Sequence, residues 1–179
     1  NMPRFVYISK TDEDNSDYNA TFEALRERFG KKIAPVVVPI WDENKKVTGI
    51  IDVLNKRAYE MQNLKRVEIE VPADKEDVIT EFNDALKESV AETSEEFMDK
   101  FFGGEDFTYA EMIQGLRQGV RELSMFPVLF GSAVNCMGSL MLMDNIVDLL
   151  PNPMEGNYHK ATRQDGETEE FVVSPGGVP

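Results

Sequence analysis

Cysteine, histidine and tryptophan each occur once in the 179 residues, as Cys136, His159 and Trp41. A lone cysteine cannot close an intramolecular disulfide, which suits a reducing cytoplasm. Cys136 has no histidine near it in sequence, so it is not read as a nucleophile. His159 sits in a polar tail and reads as a solvated side chain. No apolar run approaches the roughly 20 residues of a membrane helix, and no signal peptide is read at the start. Basic residues are scarce too: 19 Lys and Arg against 33 Asp and Glu leave a net charge of -14. Binding to nucleic acid is driven by Lys and Arg that displace counterions from phosphates, so no direct nucleic-acid binding is expected. A basic protein partner fits this field better. The chain also lacks a G-x-x-x-x-G-K-[ST] loop, so nothing in it cradles phosphates or holds Mg²⁺.

What is present suffices for one domain with a small appendage: 41% of the residues are hydrophobic. Arg4 to Ile8 reads as a strand feeding the polar loop Ser9-Lys10-Thr11-Asp12. A helix capped by Ser16 or Asp17 follows, with Phe22, Leu25 and Phe29 at helical spacing and Gly30 as its stop. Val36 to Ile40 and Val47 to Leu54 read as strands around a hairpin-like loop at 42–46. Pro35 and Pro39 place the first of these at a sheet edge. Val67 to Val71 alternates and should have one wet face.

From Pro72 to Leu123 the period becomes helical. Thr93 with Glu96 and Thr108 with Glu111 each fit a capping box, and Gly103-Gly104 ends the first of the helices they start. Phe126 to Phe130 reads as a buried strand delivering Gly131-Ser132-Ala133. A last helix runs from about Ser139 to Leu150, with Leu140, Met143, Ile146, Val147 and Leu150 on its inner side.

The two loops carry the chemistry. Each follows an apolar strand and precedes a helix, the place where open α/β sheets bind ligands. A Lys can lie flat against a nucleobase, and an Asp two residues later can accept paired hydrogen bonds from guanine N1–H and the exocyclic amine. Adenine cannot supply those donors, so a buried Asp there discriminates strongly. The small residues of the second loop let backbone N–H groups approach a base oxygen. Along the helical stretch, Asp77, Glu81, Asp84 and Glu88 form one stripe at 100° per residue. Val78, Phe82, Ala85 and Ser89, with Leu86 beside them, form the stripe expected to pack. No carboxylate stands in a context expected to raise its pKa.

Together these segments resemble the C-terminal half of the GTPase domain of bacterial elongation factor G or a close paralogue. The match runs through Pro3-Arg4-Phe5-Val6, Gly49-Ile50-Ile51-Asp52, Glu88-Ser89-Val90-Ala91-Glu92, Gly103-Gly104-Glu105, Leu116-Arg117-Gln118, Gly131-Ser132-Ala133, Gly138 and Asp148-Leu149-Leu150-Pro151-Asn152-Pro153. By this resemblance Ser9, Lys10 and Asp12 form the guanine-specificity motif, with Ser9 where the family has Asn. A hydroxyl can make only part of that amide's hydrogen bonds. Ser132 and Ala133 belong to the next nucleotide motif. Asp77, Glu81 and Asp84 fall on the first helix of the family's inserted G-prime subdomain, which faces the basic ribosomal stalk protein.

The expected fold is therefore α/β, a partial P-loop GTPase-type sheet with an inserted α+β subdomain. Residues 1–15 form the first strand and specificity loop, 16–125 the insertion with its flanking helix, and 126–151 the last strand, loop and helix. Residues 152–179 form a loose linker toward a second domain. Asn1 ahead of Met2, and the polar end after Val172-Val173, read as marks of a piece of a longer chain. The resemblance implies a cytoplasmic translational GTPase that moves tRNA and mRNA on the ribosome, with GTP or GDP and Mg²⁺ in the intact protein. In this piece it implies no catalytic residue, metal or cofactor. The alternatives are a non-catalytic acidic docking module for the stalk, or a paralogue in ribosome recycling or protection. Exposed sheet edges also allow strand exchange between copies in a crystal.

Overall fold

The computed structural model describes residues 2–43, 46–155 and 159–171. Asn44 and Lys45 of the expected hairpin loop, and the pair Val172-Val173, lie outside them. The chain is mixed α/β, with a parallel and an antiparallel sheet that meet at Val36.

The parallel sheet has three strands, β1 (Val6–Ile8), β7 (Phe126–Phe130) and β2 (Ile33–Pro35), in the order β1-β7-β2. Helix α1 (Tyr18–Phe29) connects β1 to β2. It starts because Asp17, extended at φ -129°, accepts a hydrogen bond from the Ala20 N–H at 2.9 Å, and it stops at Gly30, whose φ is 64°. The antiparallel sheet is the meander β3 (Val37–Trp41), β4 (Val47–Asp52), β5 (Arg57–Gln62) and β6 (Lys65–Ile69). Val36 joins the two sheets: its N–H donates to the Val128 carbonyl and its own carbonyl accepts from the Val53 N–H, both at 3.1 Å. β3, which holds Pro39, and β2, which holds Pro35, are both edge strands of their sheets, where a proline is tolerated.

Three helices follow, α2 (Glu76–Ala91), α3 (Glu95–Phe102) and α4 (Tyr109–Glu122). Thr108 and Glu111 close the reciprocal box that starts α4, and Leu123, left-handed at φ 64°, ends that helix. Lys100 also holds the Glu111 carboxylate at 2.7 Å, and these bonds bring its pKa down to about 2. At α3 the expected box is corrected. Ser94, not Thr93, is the cap, accepting from Phe97 N–H at 3.2 Å. Thr93 instead donates its hydroxyl to the Val90 carbonyl at 2.7 Å, closing the end of α2.

The packed face of α2 is also corrected. Ile79, Asn83, Leu86, Val90 and Ala91 are buried, whereas Val78 is 42% exposed and Ala85 is exposed. Asn83 occupies a core position because its amide donates to the Val53 carbonyl at 2.9 Å.

After β7 comes α5 (Ser139–Leu149), whose orientation is corrected in the same sense. Met141, Asn145 and Leu149 are buried, while Leu140, Met143, Ile146 and Val147 are exposed. Asn145 reaches back to the Met141 carbonyl at 2.8 Å. In the expected loose tail, β8 (His159–Thr162) pairs antiparallel with β9 (Thr168–Phe171). The core is centred on Val37, Ile50, Ile51, Val53, Leu86, Val90, Leu116, Leu129 and Phe130, each at most 1% exposed. Burial of each such side chain contributes about 1.5–3 kcal/mol.

Candidate functional site

β1 and β7 run parallel in the register Val6↔Val128 to Ile8↔Phe130. Residues 9 and 131 therefore leave the same edge of the sheet, and the Gly131 N–H donates to the Ile8 carbonyl at 2.9 Å. The two candidate loops are thus neighbours at the carboxyl ends of adjacent strands.

They are built differently. Ser9, Lys10 and Asp12 are all exposed, and Lys10 adopts the left-handed region at φ 60°. Its carbonyl accepts from the Glu13 N–H at 3.2 Å, making a tight turn. Asp12 is not the buried carboxylate expected from the sequence, so it would exclude other bases only once a bound base covers it.

Ser132 is fully buried. Its N–H donates to the Met137 carbonyl at 2.9 Å, and its hydroxyl accepts from the Val134 N–H at 3.2 Å. Both of these groups close the loop, so Ser132 shapes it. Ala133 is exposed, and its N–H has no hydrogen-bond partner among the described residues. That N–H is the donor this loop can offer. Gly131 permits the fold-back, because a Cβ there would run into the Met137 carbonyl and the Tyr7 hydroxyl. Gly138, at φ 76°, turns the chain into α5. A recess of about 360 Å³ runs beside Ser9, Lys10 and Thr11 toward the start of α1.

The acidic stripe stands on the outer face of α2. Asp77, Glu81, Asp84 and Glu88 are all exposed. Lys87 reaches Asp84 at 3.8 Å and Asp106 at 2.6 Å, and its ammonium lowers the Asp106 pKa. Among the described residues Asp77 and Glu81 form no ion pair, so their charge faces solvent.

A polar recess between β4–β6 and α5 escaped the sequence reading. It holds about 270 Å³ beside Asp52, Asn55, Arg66, Tyr109 and Asp144. Arg66 bonds Asp144 at 2.9 Å and lies 5.0 Å from the Tyr59 ring centre. Burial pushes the Asp52 carboxyl up, only partly opposed by its bonds from Asn55 and from the Leu54 N–H. This corrects the expectation that no carboxylate is raised. The signal available was the apolar run 50–54 interrupted by one Asp.

No family model matches the chain. A crystal structure of a protein from Thermus thermophilus matches 87% of it at 32% sequence identity and a TM-score of 0.78. The chain spans 23% of that protein's length. No helix among the described residues is long and apolar enough to cross a membrane.

Proposed function

We propose that this chain is part of a ribosome-associated translational GTPase of the elongation factor G type, supplying its base-reading loops and a docking face for the stalk. The single observation carrying this reading is the pairing of β1 with β7, which sets residues 9–12 and 131–133 side by side at one sheet edge. Lys10 would cover the face of a guanine, Asp12 would accept from its N1–H and amine, and the Ala133 N–H would donate to its oxygen. GTP or GDP with Mg²⁺ belongs to the longer protein, because the phosphate-binding loop is not among these residues. The apolar row Leu140, Met143, Ile146 and Val147 on α5 supports the reading. It is the kind of exposed patch that further parts of such a domain would cover. The test is a titration of the longer protein with GDP, using XDP as the control. Guanine-selective binding that is lost in Asp12→Ala supports the proposal; equal binding of both nucleotides overturns it.

A docking-module reading is favoured by a separate observation, the exposed carboxylates of Asp77, Glu81 and Asp84 on α2. They would steer the basic stalk domain onto this face and hold it less tightly as salt rises. Replacing all three with Lys is expected to abolish stalk binding measured by calorimetry at low salt. Unchanged affinity would remove α2 from the interface.

A further inference from the structure

The antiparallel sheet ends at β6, which pairs with β5 and with no other strand among the described residues. The backbone groups on its free side follow from the turn that precedes it. Asn63 and Leu64, left-handed at φ 49° and 63°, form the two-residue connection between β5 and β6. Such a turn is flanked by a pair that exchanges both backbone hydrogen bonds, here Gln62 and Lys65. Bonded and non-bonded pairs then alternate along the ladder. The N–H and carbonyl groups of Lys65, Val67 and Ile69 therefore point toward β5, and those of Arg66 and Glu68 point away from the sheet. Outside the ladder, no backbone hydrogen bond engages Arg66 or Glu68 among the described residues.

An edge of this kind is a template for another strand unless something blunts it. Lys65, Arg66 and Glu68 are exposed, and charge repels strands that do not match. The order of these charges leaves one strand that does match. When a second β6 adds antiparallel about a two-fold axis at Val67, Arg66 stands opposite the partner's Glu68, and Glu68 opposite the partner's Arg66. All of these residues carry outward backbone groups, so each opposed pair exchanges two N–H···O bonds and also sets unlike charges face to face. The half-buried Val67 side chains meet at the axis. Moving the axis by one residue sets Glu68 against Glu68 or Arg66 against Arg66, so charge selects the register as well as the strand. Arg66 already bonds Asp144 at 2.9 Å, and Glu68 lies 3.4 Å from Arg57. A guanidinium has five N–H donors and a carboxylate two acceptor oxygens, so both contacts survive the addition.

We propose that two copies of this chain associate through β6, forming one antiparallel sheet that continues from copy to copy in the register centred on Val67. The interface is isologous, the same patch on each copy. Each copy keeps its own β6, so this is strand addition and not strand exchange. It depends neither on the nucleotide loops nor on the acidic face of α2. The net charge of -14 on each copy opposes the approach. At about 0.15 M salt that repulsion is screened beyond about 8 Å.

The test is sedimentation equilibrium of the 179-residue protein at that salt, up to about 1 mM. Amide exchange at the lowest and highest concentrations is the second readout. A reversible monomer–dimer equilibrium is expected, with the Arg66 and Glu68 amides gaining protection as concentration rises. Arg66→Glu and Glu68→Arg each set like charges across the axis, and each should weaken association at least tenfold. Mixed one to one, these two variants oppose unlike charges again and should form a heterodimer. A monomer throughout the range overturns the proposal, as does unchanged association in Glu68→Arg or a mixture no tighter than its components. If either variant fails to fold, the wild-type exchange decides: protection gained elsewhere and not at Arg66 and Glu68 overturns the assignment to β6.

Discussion

Residues 9–12 form an open turn that exposes Ser9, Lys10 and Asp12, whereas residues 131–133 fold inward over Ser132 and leave one backbone N–H outside. Both loops leave the same edge of the same sheet, so the contrast comes from their local chemistry. The first is a turn of polar residues with room around it. The second is folded over Ser132 and Gly131, with the Met137 carbonyl bonded to the Ser132 N–H. A loop of the first kind can change its side chains freely and alter what it recognises. One of the second kind recognises by shape, and changes to it are paid for in stability.

The largest expected effect breaks the second loop. Gly131→Ala puts a methyl group against the Met137 carbonyl and the Tyr7 hydroxyl. A backbone carbonyl cannot rotate away like a side chain, so the loop must open. A loss of about 3 kcal/mol in urea unfolding is expected. A loss below about 1 kcal/mol would show that this loop yields as readily as the first, and the contrast would fail.

Next in size is Ser132→Ala. It keeps the backbone bond to Met137 but removes the acceptor for the Val134 N–H. About 1 kcal/mol of stability should be lost. Amide exchange should accelerate at Val134 rather than across β7, and uniform acceleration would mean that Ser132 supports the strand instead of the loop.

How far the sequence could be read follows the same division between local and distant causes. The starts of α1 and α4 and the whole of β7 were legible, since Asp17, Thr108 and the apolar run 126–130 act through near neighbours. Both misplaced helix faces contain a buried asparagine. Asn83 pairs with the Val53 carbonyl 30 positions away, and Asn145 with its own helix, so a polar letter stands at a core position in each. Strand β5 was missed because only Ala58 of its residues is buried. Its pairing partners on both sides, β4 and β6, make it a strand, and no periodicity within residues 57–62 announces that. The neighbouring loops of the candidate site were visible as motifs. The buried hydroxyls of Thr11 and Tyr18, which have no hydrogen-bond partner, were not, because a missing hydrogen bond has no sequence signature.

The smallest effect on stability, and the largest on recognition, is expected at Asp12. Its side chain is exposed and accepts no hydrogen bond among the described residues. Asp12→Ala should therefore change unfolding free energy by no more than about 0.5 kcal/mol. In the longer protein the same substitution removes the acceptor proposed for the guanine N1–H and amine. Each charge-assisted bond of that kind contributes about 1.5–3 kcal/mol, so GDP affinity should fall at least tenfold while unfolding is unaltered. Paired urea and GDP titrations on one variant check this directly. A variant that loses stability and binding together would place Asp12 with Ser132 among the groups that shape the edge, and only Lys10 and Ala133 would remain as contacts to a base.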